Sequence, residues 1–233
     1  MKRTILSLAT ALMALAANAQ VFVAQDNFKQ PERADDFNDA ALVMKGGVVA
    51  NGDTRARENI KDGKYQGMRV EAKKRAFNIG GKTQIFTCCL STKGPAAAIK
   101  EGGVVKADNC PRSRMLQMKP LSSGTLEFAI SGSTKDTQGN RLNECKLYVG
   151  VRNGSTFRNL AVLDWKQGDA KGTKSSPLPT VSCKYTYTEG DEIYIYGDNN
   201  VNIFAIDFSG KLDASFQGSD PVAVNKAVRK ARK

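Results

Sequence analysis

The chain has 233 residues, 41% apolar and 25% charged, a balance that excludes disorder over most of its length. Histidine is absent, which excludes Ser-His and Cys-His nucleophiles and most catalytic zinc sites. Lys and Arg number 35 against 23 Asp and Glu, and the net charge of +12 favours anionic partners.

The first segment is MKRTILSLATALMALAANAQ. Lys2 and Arg3 precede an apolar run from about Ile5 to Ala17, and Ala17 and Ala19 flank Asn18, so residues 1–19 read as a secretory signal peptide cut after Ala19. The run is shorter than the roughly 20 residues that span a bilayer, and it is apolar on every face, unlike an amphipathic first helix. No cysteine stands at the cut, so a lipid anchor is not expected. No later segment reaches spanning length either. The mature chain of 214 residues, with a net charge of about +10, is expected in the periplasm or outside the cell. It is long enough for one large all-β domain. Its expected partners are a carbohydrate or an anionic cell-surface polymer or lipid, and export argues against nucleic acid.

Beyond the signal, PERADDFNDAA is polar and leads to a first strand near Ala41 to Met44. Residues 46–67 read as loops around a poorly defined strand. The pattern then sharpens: GMRVEAKK, TQIFTCCLS, RMLQMKPL and TLEFAISG each read as extended, with Leu126, Phe128 and Ile130 alternating against Glu127 and Ala129. KLYVGVRN, NLAVLDWK, VSCKYTYTEG, DEIYIYG and VNIFAIDF follow, most of them separated by Gly, Asn, Asp or Ser turns. Many short strands without a periodic helix between them predict an all-β, antiparallel sandwich over residues 20–210. The last two read as a hairpin across the turn 197–200, each apolar on both faces and therefore central in a sheet.

Five cysteines, Cys88, Cys89, Cys110, Cys145 and Cys183, lie past the signal, in an oxidising compartment if it is exported. The expected disulfides are Cys145 with Cys183, both at the starts of β-like runs, and Cys110 with Cys88 or Cys89. Vicinal strand cysteines point to opposite faces, so only one of these two meets a given partner. The odd number leaves one cysteine over. Zinc is not expected, for want of histidine and of C-x-x-C spacing.

GTLEFAISGS, KLYVGVRNG and CKYTYTEGDEIYIYGDNNVNIFAIDF resemble the carboxy-terminal half of a secreted bacterial jelly-roll β-sandwich domain that accompanies pectate-lyase-like and other carbohydrate-active modules. The match runs over about residues 110–208. The family's short Arg-containing strand and the strand after it are matched by SRMLQMKPLSSGTLEFAI, and its closing pair by Gly190 to Ile206. The resemblance implies a jelly-roll-like fold and a carbohydrate setting; it carries no catalytic motif and does not extend over residues 41–109. Domains of this kind often hold structural calcium, and DDFNDA at 35–40 and GDNN at 197–200 offer oxygen ligands. Neither spells an EF-hand loop, and Asp and Asn are ordinary turn formers.

Glycoside hydrolysis needs two suitably spaced carboxylates, and Asp164 or the neighbours Asp191 and Glu192 are unremarkable candidates; a polysaccharide lyase could use Lys or Arg as base with calcium, but the 33 such residues past the signal single none out, so no enzyme is expected. Sugar recognition needs an aromatic face with polar groups around it. Trp165, the single tryptophan, stands where a strand runs into a Gly-rich loop, with Asp164 and Lys166 beside it, and offers such a platform; the competing reading is core packing. Tyr194 and Tyr196 either line a concave sheet face or make cross-strand packing. Residues 211–233 form a basic tail, with Lys226, Arg229, Lys230, Arg232 and Lys233 near its end. The leading expectation is a secreted carbohydrate-binding sandwich; a protein-binding surface protein is the alternative and a polysaccharide-acting enzyme the third.

Overall fold

β-Branched and aromatic residues crowd the segments between the turns, and such side chains fit a pleated, half-buried surface. The structure is a computed structural model that describes residues 19–28, 35–37, 42–51, 68–92, 100–101, 104–105, 111, 114–197 and 199–219. Its early elements are β1 (Ala19–Val23), a single turn α1 (Ala24–Asn27), β2 (Asp35–Phe37), β3 (Leu42–Val43) and β4 (Val48–Asn51). A long pair, β5 (Met68–Ile79) and β6 (Lys82–Ser91), is followed by the short β7 (Lys100–Glu101) and β8 (Val104–Val105). Then come β9 (Met115–Met118), β10 (Gly124–Gly132), β11 (Thr134–Lys135), β12 (Arg141–Leu142), β13 (Glu144–Asn153) and β14 (Thr156–Lys166). The chain closes with β15 (Val181–Tyr185), β16 (Asp191–Gly197) and β17 (Val201–Phe208).

Among the described residues these strands form two large antiparallel sheets. One has the order β15-β10-β17-β6-β5-β2, with β1 also on β17; the other runs β14-β13-β16-β9-β4-β3. The core lies between them. Leu126, Phe128 and Ile130 of β10 meet Ile193 and Ile195 of β16 and Leu147 and Val149 of β13 in one buried cluster. The expected all-β sandwich is therefore the architecture. Burial of a Leu, Ile or Phe side chain stabilises by about 1.5–3 kcal/mol, and this layer supplies most of the driving force.

The last two strands correct the expected hairpin. β16 pairs with β13 and β9, whereas β17 pairs with β10, β6 and β1 in the opposite sheet. Residues 197–200 thus carry the chain from one layer to the other. The inference that both strands are central does hold, and it explains the error: a strand with two apolar faces and two sheet neighbours needs no partner adjacent in sequence. Phe204 sits at a bulge opposite Ala129/Ile130 and packs on Phe77, with ring centroids 5.0 Å apart.

The Cys145–Cys183 pairing is likewise corrected. Cys183 stands across from Leu126 at one end of β10, while Cys145 lies against Gly132 at the other. Six residues of strand at ~3.3 Å each put about 20 Å between those ends, far beyond the ~7 Å limit for a bridge. Cys88, Cys89 and Cys183 are free thiols. Cys110 lies outside the described residues. The vicinal pair does point two ways: Cys88 feels Asp26 of α1, and Cys89 feels Lys73, Glu71 and Arg75 of β5. Burial pushes the Cys89 thiol up to about 12.

Past β17 the chain stays attached to the sandwich. Leu121 N–H donates to the Lys211 carbonyl, Asp213 N–H to that of Lys119, and Gln117 Nε2 to that of Ser219 at 3.1 Å. The tail expected from residue 211 is therefore anchored as far as Ser219; its cationic end lies outside the described residues, as do residues 1–18 of the expected signal peptide.

Candidate functional site

The expected platform residues come first. Trp165 pairs with Cys145 across β13 and β14, is 1% exposed, and donates its indole N–H to the Pro179 carbonyl at 2.8 Å. The core reading is the one observed, and the ring offers no face to a sugar. Its neighbours point the other way, as alternation requires. Asp164 pairs with Lys146 at 3.3 Å and Lys166 with Glu144 at 3.4 Å, directly across the strands. These four charges edge a hollow of about 400 Å³ and neutralise one another pairwise.

Tyr194 and Tyr196 are buried too, in a small cluster with Met115 and Phe157 on the outer face of their sheet, with Tyr148 packed against it. Tyr148 stacks on Tyr196 at 5.3 Å, and Phe157 meets Tyr194 edge-on at 5.7 Å. Gly150 allows this, because a Cβ there would stand 2.3 Å from the Phe157 ring. The hydroxyls are committed: Tyr194 donates to Glu192 at 3.0 Å and Tyr196 to Asn159 at 2.5 Å. Arg152 and Ser219 complete the knot on Glu192. Cross-strand packing, rather than a sugar-lined face, is what these tyrosines do.

Sequence reasoning missed a larger cleft of about 640 Å³. Glu71, Lys73 and Arg75 of β5 line it together with Ser131 and Gly132 of β10, Lys135 and Arg141 of the β11–β12 hairpin, and Asn199, Asn200 and Asn202 around the start of β17. Ser133, Asn143 and Gln167 complete the wall. Four cations thus face a single carboxylate. Among the described residues none of the four cations forms an ion pair.

Local sequence builds each wall. On β5 Glu71 and Lys73 stand two residues apart, and Arg75 joins them in the lining beyond a register shift between Ala72 and Arg75. Lys135 and Arg141 are direct cross-strand partners. Their turn is held by Asp136, whose carboxylate accepts the backbone N–H groups of Gln138 and Asn140 and the Asn140 side-chain amide. That amide, before the other bonds, holds the Asp136 carboxyl below its ordinary pKa. On the far wall, Ser91 donates to Asn200 Oδ1 at 2.7 Å and Thr92 Oγ1 to the Asn199 carbonyl at 3.0 Å, fixing the turn between the sheets. Asn202 is 3% exposed; its Nδ2 donates to Ser131 Oγ at 3.3 Å, and its Oδ1 has no hydrogen-bond partner among the described residues.

A pair of carboxyl groups sits elsewhere, on β10 and β17, where Glu127 and Asp207 are cross-strand neighbours. Glu127 accepts from Gly80 N–H at 3.0 Å and Thr180 Oγ1 at 2.7 Å, while Asp207 is 1% exposed and its Oδ1 has no hydrogen-bond partner among the described residues. Burial first, and then the Glu127 charge, raise Asp207 to about 6. Both groups are closed in by the β5–β6 turn, where a Cβ on Gly80 would stand 2.7 Å from Asp207 Oδ2.

As to the structural calcium that the resemblance brings into view, no group of three or more acidic or cysteine side chains able to hold a metal ion occurs among the described residues. The side chains of DDFNDA lie outside them, and of GDNN, Asn199 and Asn200 face the basic cleft. A scan against protein-family models found no match, and a search of curated proteins found none of significant similarity.

Proposed function

We propose that this is a secreted, non-enzymatic, jelly-roll-like sandwich that binds an acidic carbohydrate in the basic cleft. The observation that carries the reading is the convergence of Lys73, Arg75, Lys135 and Arg141, without ion-pair partners among the described residues, on a concave surface otherwise made of amides, hydroxyls and the single carboxylate of Glu71. Cations without partners attract an anion, and the polar lining suits a hydroxylated ligand rather than an acyl chain or apolar peptide. Cross-strand anchoring of Lys135 and Arg141, and the pinned 199–202 turn, pre-organise the cleft, so little ordering entropy is lost on binding.

Glycoside hydrolysis requires two carboxyl groups about 5–10 Å apart across the scissile bond. Glu71 is the cleft's single carboxylate, Asp207 is buried, and Glu127 is held by Gly80 N–H and Thr180 Oγ1. Adhesion to another protein draws on apolar surface, yet the exposed large apolar residues Ile85, Leu121, Leu142, Val162 and Tyr187 are spread over separate strands and loops.

An array of neutral and acidic oligosaccharides probed at low salt tests the reading. Acidic glycans are expected to bind and neutral ones not, with the Lys73→Ala/Arg75→Ala double variant losing most of the signal. Absence of binding to every glycan, or equal binding of neutral ones by the double variant, removes the proposal.

A further inference from the structure

Beyond attracting charge, the cleft contains a group that cations do not need. Asn202 is almost wholly buried, its nitrogen is committed to Ser131, and its oxygen is left without a donor. The hydroxyl hydrogens of Ser91 and Thr92 are directed elsewhere, to Asn200 Oδ1 and the Asn199 carbonyl. A buried acceptor keeps its full desolvation penalty until something donates to it. A polar cleft of this size admits water, and a ligand hydroxyl can take the water's place.

We propose that Asn202 is a specificity-determining residue whose carboxamide oxygen accepts a hydroxyl from the bound glycan, so that the cleft selects hydroxyl-bearing anions over anions made of acceptors alone. Discrimination of this kind is steep, since an analogue lacking the donor leaves a buried polar atom unpaired. An oligouronate meets both demands: its carboxylates match the cations and its ring hydroxyls match Asn202. Polyphosphate has charge but no carbon-bound hydroxyl.

The inference rests on the cleft being the acidic-glycan site, and the experiment separates the two. Calorimetric titration at low salt compares a short oligouronate, the same oligouronate with its hydroxyls acetylated, and inorganic polyphosphate of matched charge. The wild-type chain is expected to prefer the free oligouronate over both others by roughly five- to tenfold or more, about the effect of one hydrogen bond. Asn202→Leu should lose that preference while holding polyphosphate as before. Equal affinity of the wild-type chain for all three anions overturns the role of Asn202 and leaves charge-based binding standing. Failure of every anion to bind overturns the cleft itself. The acetylated ligand needs no variant, so the outcome does not depend on Asn202→Leu folding.

Discussion

Trp165 is the residue whose environment was least visible in the sequence. A lone tryptophan before Gly-rich polar sequence has the same local signature whether its ring faces out or in, and the deciding partner, the Pro179 carbonyl, lies fourteen residues downstream. Trp165→Ala is therefore expected to destabilise the fold by about 3–5 kcal/mol, read in a denaturant titration, rather than to abolish binding in an intact fold. A variant of unchanged midpoint would refute core placement. Asp207 makes a pH prediction of definite sign. Its carboxyl is raised from 3.8 to about 6, so the folded state holds the proton more tightly than the unfolded chain does. Stability contributed by this group rises as pH falls from about 6 toward about 4 and is constant below that. Asp207→Asn should raise the melting temperature at pH 7 and flatten that rise; a lower melting temperature at pH 7 would show the carboxylate to be stabilising. The thiols add a third test: Cys89, pushed up to about 12, should resist iodoacetamide in the native protein and react once it is unfolded, as peptide mapping would read.

At the level of elements, hydrophobic alternation and turn residues sufficed for most strands, because burial on one face writes a period of two into the chain. β10 and β13 fall where Leu126 and Leu147 place them, while β9 and β17, buried along their whole length, show as mostly apolar runs bounded by turns. Pairing was less legible, since two apolar faces say that a strand is central without saying in which sheet. The cleft left a weaker trace: Glu71, Lys73 and Arg75 share one parity, and Lys135 and Arg141 flank a turn, but nothing local brings these two groups together. The hairpin is where its geometry can be tested. Asp136 closes the turn with three hydrogen bonds, so Asp136→Ala should let Lys135 and Arg141 drift apart and weaken acidic-glycan binding severalfold, with little loss of overall stability because the turn is exposed. Unaltered affinity would show that the hairpin does not shape the cleft. Gly132→Ala is the opposite case. A Cβ there would stand 2.4 Å from Cys145 Cβ, so the variant should cost about 1–3 kcal/mol by forcing β10 and β13 apart.

For the molecule as a whole, composition spoke to function only through charge. The excess of cations points to the sign of the proposed partner, and the structure concentrates four of them in one hollow while pairing others, such as Lys146 and Lys166, with carboxylates. Acidic-glycan affinity should fall as salt rises from 50 to about 300 mM, because screening acts over about 8–10 Å, and some binding should survive if the amides contribute. One further consequence belongs to the position of β17. Among the described residues it is the last strand made during synthesis, yet it stands between β10 on one side and β6 and β1 on the other. Until the ribosome has released Phe208, three earlier segments have open edges and nothing to zip against. A transcript truncated before residue 201 should therefore yield a sticky, protease-sensitive product rather than a smaller working protein.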